Sequence, residues 1–183
     1  MFNKAGKHNT QEALKLAVQS AKEHGISHIV LASTVGDTAK SALEAIKGTD
    51  LNLVVITHSS SFGEAGKQEF DETIKKEIES AGHHVHTGMH LFRGLGRAIK
   101  NKVGFSDEEI VAHTLRLFGE GMKVCAEITA MAVDAGLVPY PGLVVAVAGT
   151  GRGADTVAII STAPTHKFFE LKIKKVVAKP FDF

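Results

Sequence analysis

Two rhythms of apolar residues take turns along this chain. Leu14, Ala17, Val18 and Ala21 recur at the spacing of one helical face, between Asn9 at an N-cap position and Gly25 just past the end, with Glu12 three residues beyond the cap; the pattern predicts a helix over 9–25. Short apolar runs predict strands at His28–Ala32, Asn52–Thr57 and His83–Thr87, and helical periodicity returns between them at Thr38–Lys47 and Lys67–Ser80. A short helix is expected over Arg93–Lys100. Ser106-Asp107-Glu108-Glu109 reads as a capping box opening a mostly helical stretch to Ala135, in which Gly119 and Gly121 allow a bend or a close approach. Three further strands are predicted at Leu143–Ala148, Thr156–Ser161 and Phe168–Val177. The last alternates Phe169, Leu171 and Ile173 with Glu170, Lys172 and Lys174, as a strand with one wet face does.

Strands that alternate with helices, and that are apolar on both faces, belong to an α/β fold whose sheet is covered on both sides. The handful of residues between the fourth and fifth strands is too short for a parallel crossover, so those two form a hairpin and the fifth runs against the rest; the same holds between the fifth and sixth. The expectation is a single domain over residues 1–183, with a mostly parallel sheet and an antiparallel C-terminal strand or hairpin. The chain has 183 residues, 44% hydrophobic and 22% charged, with a formal net charge of +1. That balance gives no general attraction to nucleic acid, and the length suffices for a core without staples. Cys125, the one cysteine, sits among apolar residues and reads as a small packing residue. Met1–Gln11 is polar, and no apolar run approaches the roughly 20 residues of a membrane helix. The expected setting is cytoplasmic, with no membrane partner.

Chemistry enters at the first strand–helix junction. Ser33-Thr34-Val35-Gly36-Asp37-Thr38 lies between a buried strand and an apolar-periodic helix, where unpaired N–H groups, the helix dipole and the hydroxyls of Ser33, Thr34 and Thr38 favour an anion. Gly36 permits the tight turn, and Gly36→Val is expected to abolish phosphate binding at modest cost to folding. A plain helix cap is the alternative. Two other strands also end in small polar residues: His58-Ser59-Ser60-Ser61-Phe62-Gly63, and Gly149-Thr150-Gly151-Arg152-Gly153-Ala154-Asp155-Thr156. Three such loops at one rim of an open α/β sheet predict one pocket. The glycines of the third loop do not form a dinucleotide fingerprint, because the loop leads into a strand instead of a helix. It is expected to press backbone N–H groups and Arg152 against a ligand, or else to be a plain hairpin turn.

His83, His84, His86 and His90 crowd one strand and its exit, but no cysteine or carboxylate nearby completes a metal set, and no metal is expected. His58 is the catalytic candidate as acid or base, although no carboxylate stands at a recognisable spacing to support it. Phe92 and Arg93 stand where a ring and an anion could be met. With no Trp, one Tyr and ten Phe, Phe62 and Phe92 are the available stacking partners at the rim.

These residues also resemble a known family. Asn9 to Ser41, with the loop S-T-V-G-D-T-A, is similar to the C-terminal domain of pyruvate kinase, whose S/T-x-S-G-x-T/S loop binds a phosphate of an allosteric sugar bisphosphate. Val35 stands where that loop carries serine. Over almost its whole length the chain resembles a stand-alone family of pyruvate kinase C-terminal-like proteins from archaea and some bacteria, through T-H-S-S-S-F-G-E, H-L-F-R-G-L-G-R-A, T-L-R-L-F-G-E-G-M-K-V and G-T-G-R-G-A-D-T. The resemblance implies a three-layer α/β/α sandwich and bound flavin mononucleotide (FMN). Its phosphate would lie at Ser33, Thr34, Gly36, Asp37 and Thr38, and its ring against the 59–63 and 149–156 loops. The leading expectation is a phosphate-anchored binder of FMN; the alternatives are an effector-sensing module for a sugar phosphate or nucleotide, and an enzyme using His58. A homo-oligomer is compatible with all three.

Overall fold

The computed structural model describes residues 1–183. It contains β1 (Phe2–Lys4), α1 (Thr10–Glu23), β2 (His28–Ala32), α2 (Asp37–Ala45), β3 (Asn52–Ile56), α3 (Glu72–Ser80), β4 (His84–His86) and α4 (Gly94–Val103). Then follow α5 (Asp107–Arg116), α6 (Glu120–Asp134), β5 (Leu143–Ala148), β6 (Thr156–Ser161), β7 (Lys172–Ala178) and β8 (Pro180–Asp182). Six strands form one sheet in the order β4-β3-β2-β5-β6-β7, parallel except at β6, which runs against both neighbours. β1 and β8 pair separately, in parallel.

The period of two along each strand divides the core. Ile29, Leu31, Leu53, Val55, Val145, Val147, Val157 and Ile159 pack on the side of α1, with Ala13, Leu14, Ala17 and Ala21, and of α2, with Ala39 and Ala42. Val30, Val54, Ile56, Val144, Ala146, Ala148, Ala158 and Ile160 face the other way, onto Met122, Cys125, Ile128 and Met131 of α6. This is the three-layer sandwich expected. α6 is apolar nearly all round because sheet lies on one side and α5 on the other.

Four local expectations are corrected. The helix expected from Lys67 starts at Glu72, because the Asp71 carboxylate caps it, accepting from the N–H groups of Thr73 and Ile74. The helical stretch after Ser106 is two helices broken at Gly119, whose φ of +107° and ψ of 154° lie outside helical space. Ser106 caps α5 by accepting from the N–H of Glu109, but the Glu109 side chain bonds Arg97 and Lys100 and leaves the capping box half made. The strand expected from Phe168 begins at Lys172, since Thr165–Glu170 turn as a 3-10 helix whose start is held by Asp134, accepting from the N–H and hydroxyl of Thr165. Nor was the β1–β8 pair foreseen. No helix is long and apolar enough to cross a membrane.

Candidate functional site

The strand order reverses at β2, which has β3 on one side and β5 on the other. A crevice therefore opens beyond the carboxyl ends of β2 and β5, because the chain leaving β2 turns into α2 on one face of the sheet while the chain leaving β5 turns back along the sheet as the β5–β6 hairpin. A cleft of about 1080 Å³ occupies this position. One wall is made by the β2–α2 loop and the β5–β6 hairpin, the opposite wall by His58, Phe62, the His90–Arg93 turn and the faces of α4, α5 and α6.

In the first wall the backbone supplies the chemistry. Ser33 N–H is bound by the Ile56 carbonyl and Ala39 N–H by Ser33 Oγ, but the N–H groups of Thr34, Val35, Gly36, Asp37 and Thr38 donate to no protein atom. These five donors stand at the N-terminus of α2, where the helix dipole also favours an anion. Gly36, at φ +113°, is buried beneath α3: a Cβ there would lie 2.7 Å from Ile74 Cδ1. Gly36 thus faces the core and not the cleft, which corrects the expectation that Gly36→Val would cost folding little. Val35, where the family loop has serine, accepts from Asp71 N–H through its carbonyl and so ties the loop to the start of α3.

The hairpin is fixed by Asp155. Fully buried, its carboxylate accepts from Gly6 N–H at 2.9 Å, Thr150 N–H at 3.1 Å and the Thr156 hydroxyl at 2.8 Å. Thr10 Oγ1 accepts from Ala154 N–H. The N-terminal segment is thereby stitched to the hairpin, and Lys7, Thr10 and Gln11 join Gly149, Gly151, Arg152 and Gly153 along the cleft. Lys7 and Arg152 make no ion pair. Asp155 and Thr156 turn inward and act on the loop's shape instead of lining the cleft. Thr150 is likewise off the lining, with a buried hydroxyl that has no partner.

In the opposite wall side chains supply the chemistry. His58 Nδ1 meets Glu69 Oε2 at 3.1 Å, so the carboxylate that the sequence seemed to lack stands eleven residues on. Burial lowers the His58 pKa from its ordinary value, against the pull of Glu69. The His58 ring stacks on Phe62 with centroids 3.6 Å apart, and the Arg93 guanidinium covers Phe62 at 3.6 Å. Deeper in, Glu127 is 1% exposed and fully engaged: Lys123 Nζ donates to one oxygen at 2.5 Å, and Phe92 N–H donates to the other at 3.0 Å, with His90 Nδ1 3.5 Å from it. Burial pushes the Glu127 carboxyl up, but His90 and Lys123 outweigh it and hold it well below the usual range. Towards the mouth, Arg97 pairs with Glu109 and Arg116 with Glu120.

Of the residues expected from sequence, the cleft gathers Ser33, Thr34, Asp37, Thr38, His58, Phe62, Phe92, Arg93, Gly149, Gly151, Arg152 and Gly153. Ser59 and Ser60 border a smaller neighbouring cavity, and Gly63 borders neither. Sequence reasoning missed Lys7, Arg116, Lys123 and Glu127. Arg116, Glu120 and Lys123 stand inside T-L-R-L-F-G-E-G-M-K-V, and the i,i+4 spacing of Arg116–Glu120 and Lys123–Glu127 was the available signal. No group of three or more His, Cys, Asp or Glu side chains could hold a metal ion.

A family model for the pyruvate kinase α/β domain matches residues 11–160. Among solved structures, one of a pyruvate kinase from Cryptosporidium parvum is similar at 15% identity, covering 84% of this chain and 23% of that one, with a TM-score of 0.45. A second structure of that organism's pyruvate kinase gives 14%, 84%, 22% and 0.44, and a third, in complex with ADP, 15%, 84%, 24% and 0.45. The chain spans about a quarter of the length of these structures.

Proposed function

This chain belongs to the pyruvate kinase α/β-domain family, and from that premise we propose that its cleft binds a small molecule by a phosphate group, with FMN as the ligand. One observation carries the reading: five consecutive N–H groups, Thr34 to Thr38, are without protein acceptors at a helix N-terminus that borders the cleft. Lys7 and Arg152, neither neutralised by a carboxylate, flank them and add the charge a dianion needs. A cleft of about 1080 Å³ has room for a flavin nucleotide. A flavin, when bound, supplies hydride or single-electron transfer. The chain's own contribution is to hold the phosphate on backbone donors, to place the Lys123 ammonium and the His58 imidazole on the facing wall, and to keep Glu127 ionised beside Lys123. The proposed setting is the cytoplasm.

Titration with FMN should raise the melting temperature by mass action, and Arg152→Ala should weaken binding roughly tenfold by removing a charge-assisted contact. A melting temperature unmoved by both FMN and ribose 5-phosphate would overturn the reading. A second reading, a sensor of a sugar phosphate or nucleotide without chemistry, is favoured by a lining dominated by polar and charged side chains suited to a hydroxyl-rich ligand. Sugar phosphates would then raise the melting temperature while FMN did not.

A further inference from the structure

We propose that His58 and Arg93 are the two faces of a slot for a planar aromatic ring, and that Phe62 fills this slot until a ligand ring displaces it. The inference rests on the phosphate reading only for the ligand's other end.

The geometry begins with Phe62. The His58 ring lies nearly parallel to it, at 22° and 3.6 Å between centroids, and the Arg93 guanidinium lies over the same ring at 3.6 Å. Two groups so close to one centroid cannot share a face, so Phe62 is the middle layer of a sandwich with both π-faces covered. A ligand therefore has no face of Phe62 to stack on, which corrects the expectation that Phe62 is a stacking partner. What remains is the space Phe62 takes up: a gap one aromatic ring thick, bounded by an imidazole and a guanidinium, at the edge of the cleft. A flat guanidinium and an imidazole can each stack on a planar heterocycle such as a flavin or a purine.

The loop that carries Phe62 is held mainly to itself. Ser61 N–H donates to the Lys67 carbonyl, Phe62 N–H to the Ser59 carbonyl, Gly66 N–H to Ser61 Oγ and Lys67 N–H to the Glu64 carbonyl. Ser61 sits at φ +69°, the one non-glycine residue with positive φ, so the turn that presents Phe62 is strained. Its neighbours Ser60, Ser61 and Gly63 are exposed while Phe62 is half-buried, so the ring itself is what the loop inserts into the body. Phe62 also has somewhere to go. It borders both the main cleft and a second cavity of about 420 Å³ lined by Ser59, Thr87, Met89 and Gly94, so swinging the ring across that boundary would open the slot.

The test uses three probes: riboflavin, which has the ring without phosphate; ribose 5-phosphate, which has phosphate without the ring; and FMN, which has both. Against wild type, Phe62→Ala and Phe62→Leu should tighten riboflavin and FMN by the same factor, about tenfold, because the ligand no longer has to expel the occupant, and should leave ribose 5-phosphate unchanged. Arg93→Ala in the Phe62→Ala background should reverse the gain. If both Phe62 variants, shown to be folded by circular dichroism, bind riboflavin and FMN no better than wild type or more weakly, Phe62 is a wall and the slot is overturned. If riboflavin tightens but ribose 5-phosphate binds neither protein, the slot stands and the phosphate reading falls.

Discussion

The two walls of the cleft are built on opposite principles. The wall at the ends of β2 and β5 presents main-chain donors, and residues facing away from the cleft hold it in shape: Gly36 packed against Ile74, and the Asp155 carboxylate buried among three donors. The facing wall presents side chains, stacked or ion-paired with one another, on a self-bonded loop and on α4–α6. A backbone site cannot change its donors but is preorganised; a side-chain site can rearrange at the cost of fixing rotamers on binding. On the proposed reading, the first wall would confer shape and the second selectivity.

Substitutions can break that contrast, and the largest effect is expected on the side-chain wall. Glu127→Leu strands the Lys123 ammonium in a buried site and should cost about 3–5 kcal/mol in urea unfolding, whereas Glu127→Leu with Lys123→Met should recover most of it, because charge and counter-charge leave together. A double variant as unstable as the single would show that the cluster holds the fold by more than charge balance. Next comes Gly36→Val, which combines positive φ with a clash against Ile74 and should cost about 2–4 kcal/mol, lowering stability and phosphate binding together. Asp155→Asn follows, at about 1–3 kcal/mol, since an amide cannot accept from Gly6, Thr150 and Thr156 at once. It should weaken ribose 5-phosphate while riboflavin is unaffected, because it loosens only the backbone wall.

The smallest effect is the response to pH, and it sharpens the same contrast. His28, His58, His83 and His86 are all held below their ordinary value, chiefly by burial. The unfolded chain then binds more protons than the native one below about pH 6.5, so stability should fall as pH drops through that region. Glu127 acts in a lower window. Its depressed folded value makes its contribution complete above about 4.5 and lost as pH falls towards about 2. Melting temperatures followed from pH 8 to pH 3 should show both steps, and Glu127→Leu with Lys123→Met should shrink only the lower one, to which Asp71 and Glu109, also held below their ordinary values, contribute the rest.

Much of this was legible in the residues. Short uninterrupted runs such as Ile29–Leu31 and Val144–Ala148, bounded by turn residues, read as strands buried on both faces, and the short β5–β6 link forces a hairpin; local chain length and side-chain period carry that information. The β2–α2 loop and the glycine-rich hairpin could likewise be named, because a strand that ends in Ser, Thr and Gly before a helix or turn announces itself. Phe168–Glu170 shows where alternation misleads: the period of two continues through residues that Asp134 and Pro164 hold in a 3-10 turn. What the tertiary structure alone decided is pairing across the chain. Glu127 beside His90, Asp155 beneath Gly6 and Arg93 over Phe62 are contacts between segments remote in sequence, set by where strand order reverses and helices pack, and even the nearer Glu69 meets His58 only because the loop after β3 folds back. Spacing encodes which face a residue takes, but the identity of the neighbour it meets there exists only once the layers close.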